Sequence, residues 1–580
     1  MRSPSPLGIL TVAMLSLHLA SACPAQDQPE AKKILRVLDV RDIVRAEPRF
    51  LPATALEASF SPSAPEATDN PIAAFELADL VTLVMTASGP EYWGQEGVEI
   101  HPEDNGLLSV RCSKAQHAAV NKTLSQIRNM IFEPVAIEVH ELPDSALDSR
   151  RTVLSSQEAD ALIAAAGSHP IHSGRTTLHK RLLIESKQLQ NRVEGLRSRV
   201  AQSAATVDPI ISTDAYGASW EVRASRTVGD SLLVTVSGST RALEPKATTR
   251  EVRSGEKGHT AEIDLLTTRI TTYLSTARLG PGQAMLVGSR APAGKVLCIR
   301  IRRLGPPAST TLGAVTAFPI RSLVGSAPRG PNPQVRFDGS TLFPEVDEEP
   351  MPTVLDDGRL QELIATEVNP DTWDGAPNTM SVENGYLLVT ADEQTLAGVQ
   401  KQLETLDAID ARQFTLEVRF GEVTATDTNL QDPANVAKLA ESLSQTCLST
   451  LSASRDTQLS ATRHSQVVHD YDVIIASGSA TTSPEVTTIT EGFLLHGAVT
   501  PMHDQSVLLD LNMTILERDS KRTVFDLKHP AIGPIDNVRV RQNKVRGACP
   551  VELGTWTILH LAPLPGSKKH LAVAARVHAL

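Results

Sequence analysis

Two stretches of the chain, DSLLVTVSGSTRAL from Asp230 and QSVLLDLNMTILER from Gln505, alternate apolar and polar positions and are rich in Val and Thr. That period of two predicts half-buried β-strands. Shorter apolar runs, AMLVG, KVLCIRIRRL, TWTILHLAP and HLAVAARVHAL, add strands around them. Elsewhere the period becomes helical. Val120, Leu124 and Ile127 share one helical face, as do Val399, Leu403 and Leu406. Ser113 and Asp392 stand at the starts of these helices as side-chain caps. Ahead of each lies Asn-Gly, at Asn105–Gly106 and Asn384–Gly385, the pair a two-residue hairpin turn favours. The order strand (RVLDVRDIV), helix (AFELADLVTLVMT), strand (VEIHP), strand (LLSVRC), helix, strand (AIEVHEL) predicts a small α/β unit. Trp93 and Trp373 follow the first helix of each unit and are expected to close its core. Two further helices are predicted over SSQEADALIAAAG and PANVAKLAESLSQTCLS.

These patterns come in pairs. Val40, Arg41, Ile43, Val44 and Pro48 answer to Ile320, Arg321, Leu323, Val324 and Pro328, each 280 positions on. Leu80, Leu83, Pro90 and Trp93 match Leu360, Leu363, Pro370 and Trp373 at the same offset. The offset becomes 279 for Gly106 and Gly385, Leu124 and Leu403, and Glu138 and Glu417. It becomes 275 for Gly217 and Gly492, and 272 for Gly282 and Gly554. Small downward steps are what loop deletions produce, so a tandem duplication is expected. The Gly-, Pro-, Ser- and Thr-rich segment GPPASTTLGA separates the copies. The segments after Arg45 and after Ser326 read as long irregular loops.

With 580 residues the chain has room for several domains, and its 41% hydrophobic and 21% charged residues fit a folded protein. A net charge of −12 argues against a nucleic-acid partner, because phosphate binding needs a basic face. The N-terminus has Arg2, an apolar run from Leu7 to Ala20 and small residues before Cys23. This is the pattern of a secretory signal peptide over residues 1–22. ASAC also resembles a relaxed bacterial lipobox, which makes Cys23 a candidate lipidation site and an outer-membrane anchor. Export permits disulfides among Cys112, Cys298, Cys447 and Cys549. Most are expected to be buried thiols, with Cys447 and Cys549 the one pair worth weighing.

Catalytic signals are sparse. No GxSxG, HExxH or CxxC is present. GSRAPAGKV (Gly288–Val296) mimics a phosphate-binding loop, but it has one residue too many between its glycines and Val296 where a magnesium-binding hydroxyl is needed. His169 and His172, or His464 and His469, could offer imidazoles to a metal, yet no third ligand follows at a matching spacing. Asp347–Glu349 lies in an acidic loop and reads as solvated. No catalytic residue, cofactor or metal is therefore expected. A hydrolase or carbohydrate-binding protein on an unfamiliar β scaffold is the alternative.

The unit NGLLSV…AVNKTLSQI, followed by a strand and a β-rich segment, resembles the ring-building modules and homology domain of secretins. These are the outer-membrane channel proteins of type II and III secretion and type IV pilus systems. SLLVTVSG, TTRITTYLSTARLGPGQAMLVG, SVLLDLNMTI and VRVRQNKVRGACPVELGTWTILHLAP carry the rest of the resemblance. It implies an α+β fold in which each copy has a small KH-like, ring-module-like α/β domain and then a β-rich secretin-like domain. The expected boundaries are 31–143 and 144–304 for the first copy, a linker over 305–315, and 316–422 and 423–580 for the second. It also implies an exported, non-enzymatic envelope protein in the periplasm or at the outer membrane. Its expected partners are other proteins, or further copies of itself through the ring-type modules, in a secretion or pilus-type assembly. The chain departs from the family in having two shortened homology domains and only 4 Trp, 5 Tyr and 11 Phe. Spanning barrels carry aromatic girdles, and the best spanning strands, SLLVTVSG and SVLLDLNMTI, are barely long enough. No channel formed by this chain alone is expected.

Overall fold

The computed structural model describes residues 33–580 except 45–74, 325–354 and the short segments 104–105, 150, 202–203, 245–247, 255–258, 292–293, 374–377, 384, 425–431, 454, 477–478, 503–504, 519–522, 527, 529–532 and 565–568. The expected signal peptide, Cys23, the acidic stretch at Asp347–Glu349 and most of both expected long loops lie outside the described residues.

The chain opens with β1 (Ile34–Asp39), α1 (Leu77–Ala87), β2 (Glu99–Glu103), β3 (Leu107–Cys112) and α2 (Lys114–Ile131). The three strands pair antiparallel in the order β1-β3-β2. Ser113 and Gln116 form the reciprocal cap at the start of α2. Gly106 turns the hairpin at φ 74°. Trp93 is half-buried against this core and donates its indole N–H to the Met85 carbonyl at 3.1 Å, which closes the unit over the end of α1.

Next come β4 (Pro134–Leu142), α3 (Ser156–Ala165), β5 (His172–Thr177), β6 (Arg181–Ala201), β7 (Ala204–Arg226) and β8 (Leu232–Leu243). They are followed by β9 (Thr248–Ser254), β10 (His259–Leu265), β11 (Thr267–Leu279), β12 (Ala284–Ser289) and β13 (Val296–Arg303). The element order then starts again. Strand β14 (Val315–Pro319), α4 (Asp357–Glu367), β15 (Thr379–Glu383), β16 (Tyr386–Thr390) and α5 (Glu393–Asp410) build a second α/β unit. Asp392 caps α5, Gly385 turns at φ 75°, and Trp373 donates to the Val368 carbonyl at 2.7 Å. The chain ends with β17 (Gln413–Thr424), α6 (Pro433–Ser442), β18 (Gln445–Ser452), β19 (Asp456–Ala476), β20 (Ser479–Pro501), β21 (Ser506–Arg518), β22 (Val540–Glu552), β23 (Thr557–Pro563) and β24 (Lys569–Ala579).

Strand β16 of the second α/β unit is buried on both faces, and its alternation sorts the side chains. Leu387 and Val389 pack on their own helices with Leu360, Ile364, Val399 and Leu403. Tyr386 and Leu388 point the other way, into the core of the first unit beside Leu108 and Val120. Neighbouring positions on one strand thus tie the two units together.

Two large antiparallel sheets hold most of the rest, while β9 and β10 pair only with each other. One has eight strands, β22-β21-β20-β19-β11-β8-β7-β6. The other runs β23-β24-β17-β18-β12-β13-β4-β5, with the two-residue strand Val153–Leu154 paired beside β12. Each draws four of these strands from each half of the chain. Apolar faces of both meet in one core, including Ile137, Trp220, Val287, Val418 and Phe493. Trp220 lies flat over Gly238, its register partner, and stacks on Tyr273 at a ring distance of 5.6 Å. A Cβ on Gly238 would meet the indole at 2.0 Å, so only glycine leaves room.

Two expectations are corrected. The helix predicted through PANVAKLAESLSQTCLS stops at Ser442, and its last five residues belong to β18. Pairing with β17 and β12 overrides the helical run of small residues there. Strands also reach far beyond SLLVTVSG: β6 and β19 have 21 residues, and β7 and β20 have 23. Their Arg-, Gln- and Thr-rich outer halves lack a sustained apolar alternation, because the hairpins there are held mainly by their ladders and bury only scattered side chains such as Leu196, Val468 and Tyr471.

Candidate assembly surface

One transverse row crosses the eight-stranded sheet through Lys187, Gly217, Arg241, Ile270, Thr462, Gly492, Leu516 and Gln542. The first four come from β6, β7, β8 and β11, and the last four from β19 to β22. Gly217 has φ 132° and Gly492 has φ 123°, conformations that side chains resist. Each marks where a long hairpin leaves the sheet. Beyond Gly217, β7 pairs only with β6, and beyond Gly492, β20 pairs only with β19. The two freed hairpins then pack on each other and on β10, around Leu196, Ile263, Leu265, Val468 and Tyr471.

The halves join in mid-sheet, where β11 pairs with β19 from Thr267 opposite Ser465 to Leu274 opposite Gln458. Behind this joint the interior is lined with hydroxyls. Ser275 Oγ donates to the Thr450 carbonyl at 3.0 Å, Thr457 Oγ1 to the Leu274 carbonyl at 2.8 Å, and Thr152 and Thr415 share a 2.9 Å bond. A buried ion pair sits at its end. Arg278 of β11 donates through both Nη atoms to Asp407 of α5, at 2.5 and 2.9 Å, and Ser322 Oγ adds a third bond at 3.1 Å. The Gln413 side chain brackets the Arg278 backbone, accepting from its N–H at 2.8 Å and donating to its carbonyl at 2.9 Å. Bidentate geometry with every neighbouring group satisfied is the case in which a buried charge pair holds.

At its outer ends the eight-stranded sheet finishes in β6 and β22, and the other sheet in β5 and β23. The base half of β6 pairs with β7 on one side only, has no strand of the sheet on its outer side, and exposes Leu183 and Leu189. Its N–H and C=O row is an available template for another strand. Within the second sheet, Glu138 faces Arg300 and Glu417 faces Arg576. Burial pushes the Glu417 carboxyl up, but Arg576 at 2.6 Å and Arg419 at 2.8 Å together hold it below its usual range. Both guanidiniums also lie over Trp556, Arg576 at 4.4 Å and Arg419 at 5.2 Å from the ring centre.

The residues singled out for chemistry are dispersed. His172 lies on β5, a tilted 6.5 Å from Trp220, and exposed His169 precedes that strand. His464 is half-buried between Thr462 and Thr490, and desolvation lowers its pKa to about 4. His469 faces Glu485 on the neighbouring strand. Among the described residues no group of three His, Cys, Asp or Glu is placed to hold a metal. Gly288 and Val296 oppose each other across the β12–β13 hairpin, so the segment joins two strands and does not lead into a helix whose N-terminus could receive a phosphate. Cys112, Cys298, Cys447 and Cys549 are free thiols. A concavity lined by Arg151, Gln283, Gln413, Thr415 and His578 contains no acidic side chain to work with its imidazole. No helix among the described residues is long and apolar enough to cross a membrane.

No known protein family matches the chain by sequence, and neither does any curated protein. Solved structures show a distant similarity to secretins of type II and type III secretion systems. The InvG secretin domain β-barrel of the Salmonella SPI-1 injectisome aligns with 46% of this chain and 87% of its own, at TM-score 0.22 and 11% identity. Aeromonas hydrophila ExeD aligns with 95% of this chain and 90% of its own, at TM-score 0.18 and 10% identity. The type II secretion system secretin GspD of E. coli K12 gives the same coverages, with TM-score 0.18 and 10% identity.

Proposed function

We propose that this chain is a non-enzymatic structural subunit of the bacterial cell envelope, exported, secretin-like and built as a tandem duplication. Its partner is a second copy of itself. The observation that carries this is the transverse row. Its four-strand sequence of positions repeats once, with the same glycine corner in each repeat, and the β11–β19 joint connects the end of the first repeat to the start of the second. Repeats joined head to tail leave complementary ends: β22 is the counterpart of β11, and β6 the counterpart of β19. A second chain can therefore add β6 to β22 as β19 adds to β11, a heterologous contact that closes into a ring or continues as a filament. By the same register Gln542 of one chain meets Lys187 of the next, which sets Asn543 opposite Ser186 and Val545 opposite Ile184.

The domain boundaries expected from sequence, removal of residues 1–22, and lipidation of Cys23 as a tether to the outer membrane belong to the same proposal. A secretion or pilus-type assembly is the setting it fits.

Cross-linking tests it. A variant carrying both Ser186→Cys and Asn543→Cys should give a ladder of disulfide-linked multimers on mild oxidation, lost on reduction. Either substitution alone should give dimers at most. A double variant that stays monomeric in sedimentation and forms no ladder would overturn the head-to-tail reading.

A further inference from the structure

The joint inside the chain and the joint between chains differ at the positions that matter most. This comparison rests on the self-association proposed above. Along β11, eight residues past Ile270, stands Arg278, opposite Leu233 of β8. Eight residues past Gln542 on β22 stands Pro550, opposite Leu508 of β21. Arg278 supplies a guanidinium and a backbone N–H to the inner joint. Proline has neither. On the facing side, Asp407 of α5 corresponds to Arg128 of α2, since Leu406 corresponds to Ile127. Gln413 corresponds to Pro134, four residues before Glu417 and Glu138. Ser322, the third donor to Asp407, corresponds to Asp42.

Every element of the inner lock is thus absent from the outer joint. Arg128 and Asp42 are instead exposed and pair with each other, Nε to Oδ2 at 2.7 Å, so neither is left seeking a charge on an incoming chain. Pro134 and Pro550 are exposed as well. A substitution at one of these positions would be unremarkable, but here the donor, the acceptor and the bracketing amide are replaced together.

We infer that the assembly opens and closes between chains, at the β22–β6 joint, while the β11–β19 joint inside each chain stays shut. The functional unit exchanged with the assembly is then the whole chain, two repeats at a time. The outer joint is held by strand pairing and apolar contact, without a buried charge pair.

Transplanting the lock tests the inference. Pro550→Arg, Arg128→Asp and Asp42→Ser recreate the charge pair and its hydroxyl across the outer joint. Differently labelled full-length preparations are mixed, and exchange of chains between assemblies is followed by fluorescence transfer. The triple variant should exchange at least tenfold more slowly than the parent, and Arg128→Asp alone should not slow it. Should the triple variant misfold, hydrogen exchange on the parent assembly decides. Amides of β11 from Thr267 to Leu274 should be protected at least tenfold more than those of β22 from Arg541 to Arg546, and the gap should narrow in Arg278→Met. Equal protection at both joints, or unchanged exchange in a folded triple variant, would overturn the inference. A parent that forms no assemblies, together with a Ser186→Cys/Asn543→Cys variant that gives no cross-link, would overturn the self-association reading instead.

Discussion

Gly217 and Gly492 lie on one transverse row of the eight-stranded sheet, four strands apart, and both hold φ between 120° and 135°. Each is the corner at which a long hairpin turns out of the sheet. A Cβ on Gly492 would come within 2.1 Å of the Ala461 carbonyl oxygen, which belongs to backbone and cannot swing aside. Gly492→Ala should therefore cost more than the ~1–3 kcal/mol of a strained backbone conformation alone. Urea unfolding should show a clear fall in midpoint, whereas Gly547→Ala, with open space at its Cβ, should show almost none.

The Arg278–Asp407 pair should behave as a buried pair does. Asp407→Ala leaves a guanidinium without its carboxylate and is expected to cost about 3–5 kcal/mol. Combining Arg278→Met with Asp407→Leu should recover most of that loss. A double-mutant cycle measured by chemical unfolding reads the coupling directly.

His179 gives the fold an acid limit. The ring is fully enclosed, at φ 67°, with Nε2 at 3.1 Å from the Tyr386 hydroxyl, which in turn donates to the Met130 carbonyl at 3.3 Å. Burial, with Arg321, Arg226 and Arg223 nearby, lowers its pKa from 6.5 to about 3. The unfolded chain takes up the proton first, so stability contributed above pH 6.5 is lost as pH falls from 6.5 towards 3. The thermal midpoint should drop across that interval, and less steeply in His179→Gln.

Glu383 acts in the opposite direction. Burial raises its pKa from 4.5 to about 7, helped by Asp79, Glu76 and Asp357. A raised carboxyl favours the folded state below pH 4.5 and loses that contribution as pH rises through 7. Glu383→Gln should raise the thermal midpoint at pH 8 and leave it almost unchanged at pH 4. An effect of equal size at both values would mean that packing and not ionisation is responsible.

Local chemistry was legible in the sequence. The turns at Gly106 and Gly385, the caps at Ser113 and Asp392 and the placing of Trp93 and Trp373 depend on residues within a few positions of one another. Partnership between distant strands was not. Period two marks Leu232 to Val236 as strand, but nothing in the pattern says that Ile270 will face Thr462. The outer halves of β6 and β19 were missed for the same reason, since polar residues on both faces satisfy a ladder as well as a coil. The Arg278–Asp407 pair joins elements 129 positions apart and has no local signature. It becomes visible only when Pro550 and Arg128 are set beside their counterparts.

The hydroxyls behind the β11–β19 joint make it a gauge. Thr457, Thr272 and Ser460 each bond to a definite atom across the joint, and Thr457 reaches a backbone carbonyl. If β19 slid by two residues, every side chain would return to its own face and an apolar seam would hardly register the change. Here the slide would leave several enclosed hydroxyls without acceptors, at about 1–3 kcal/mol apiece. Polar groups that contribute little to holding the halves together thus decide at which notch they are held, and with it the angle at which the second half of the molecule projects from the first.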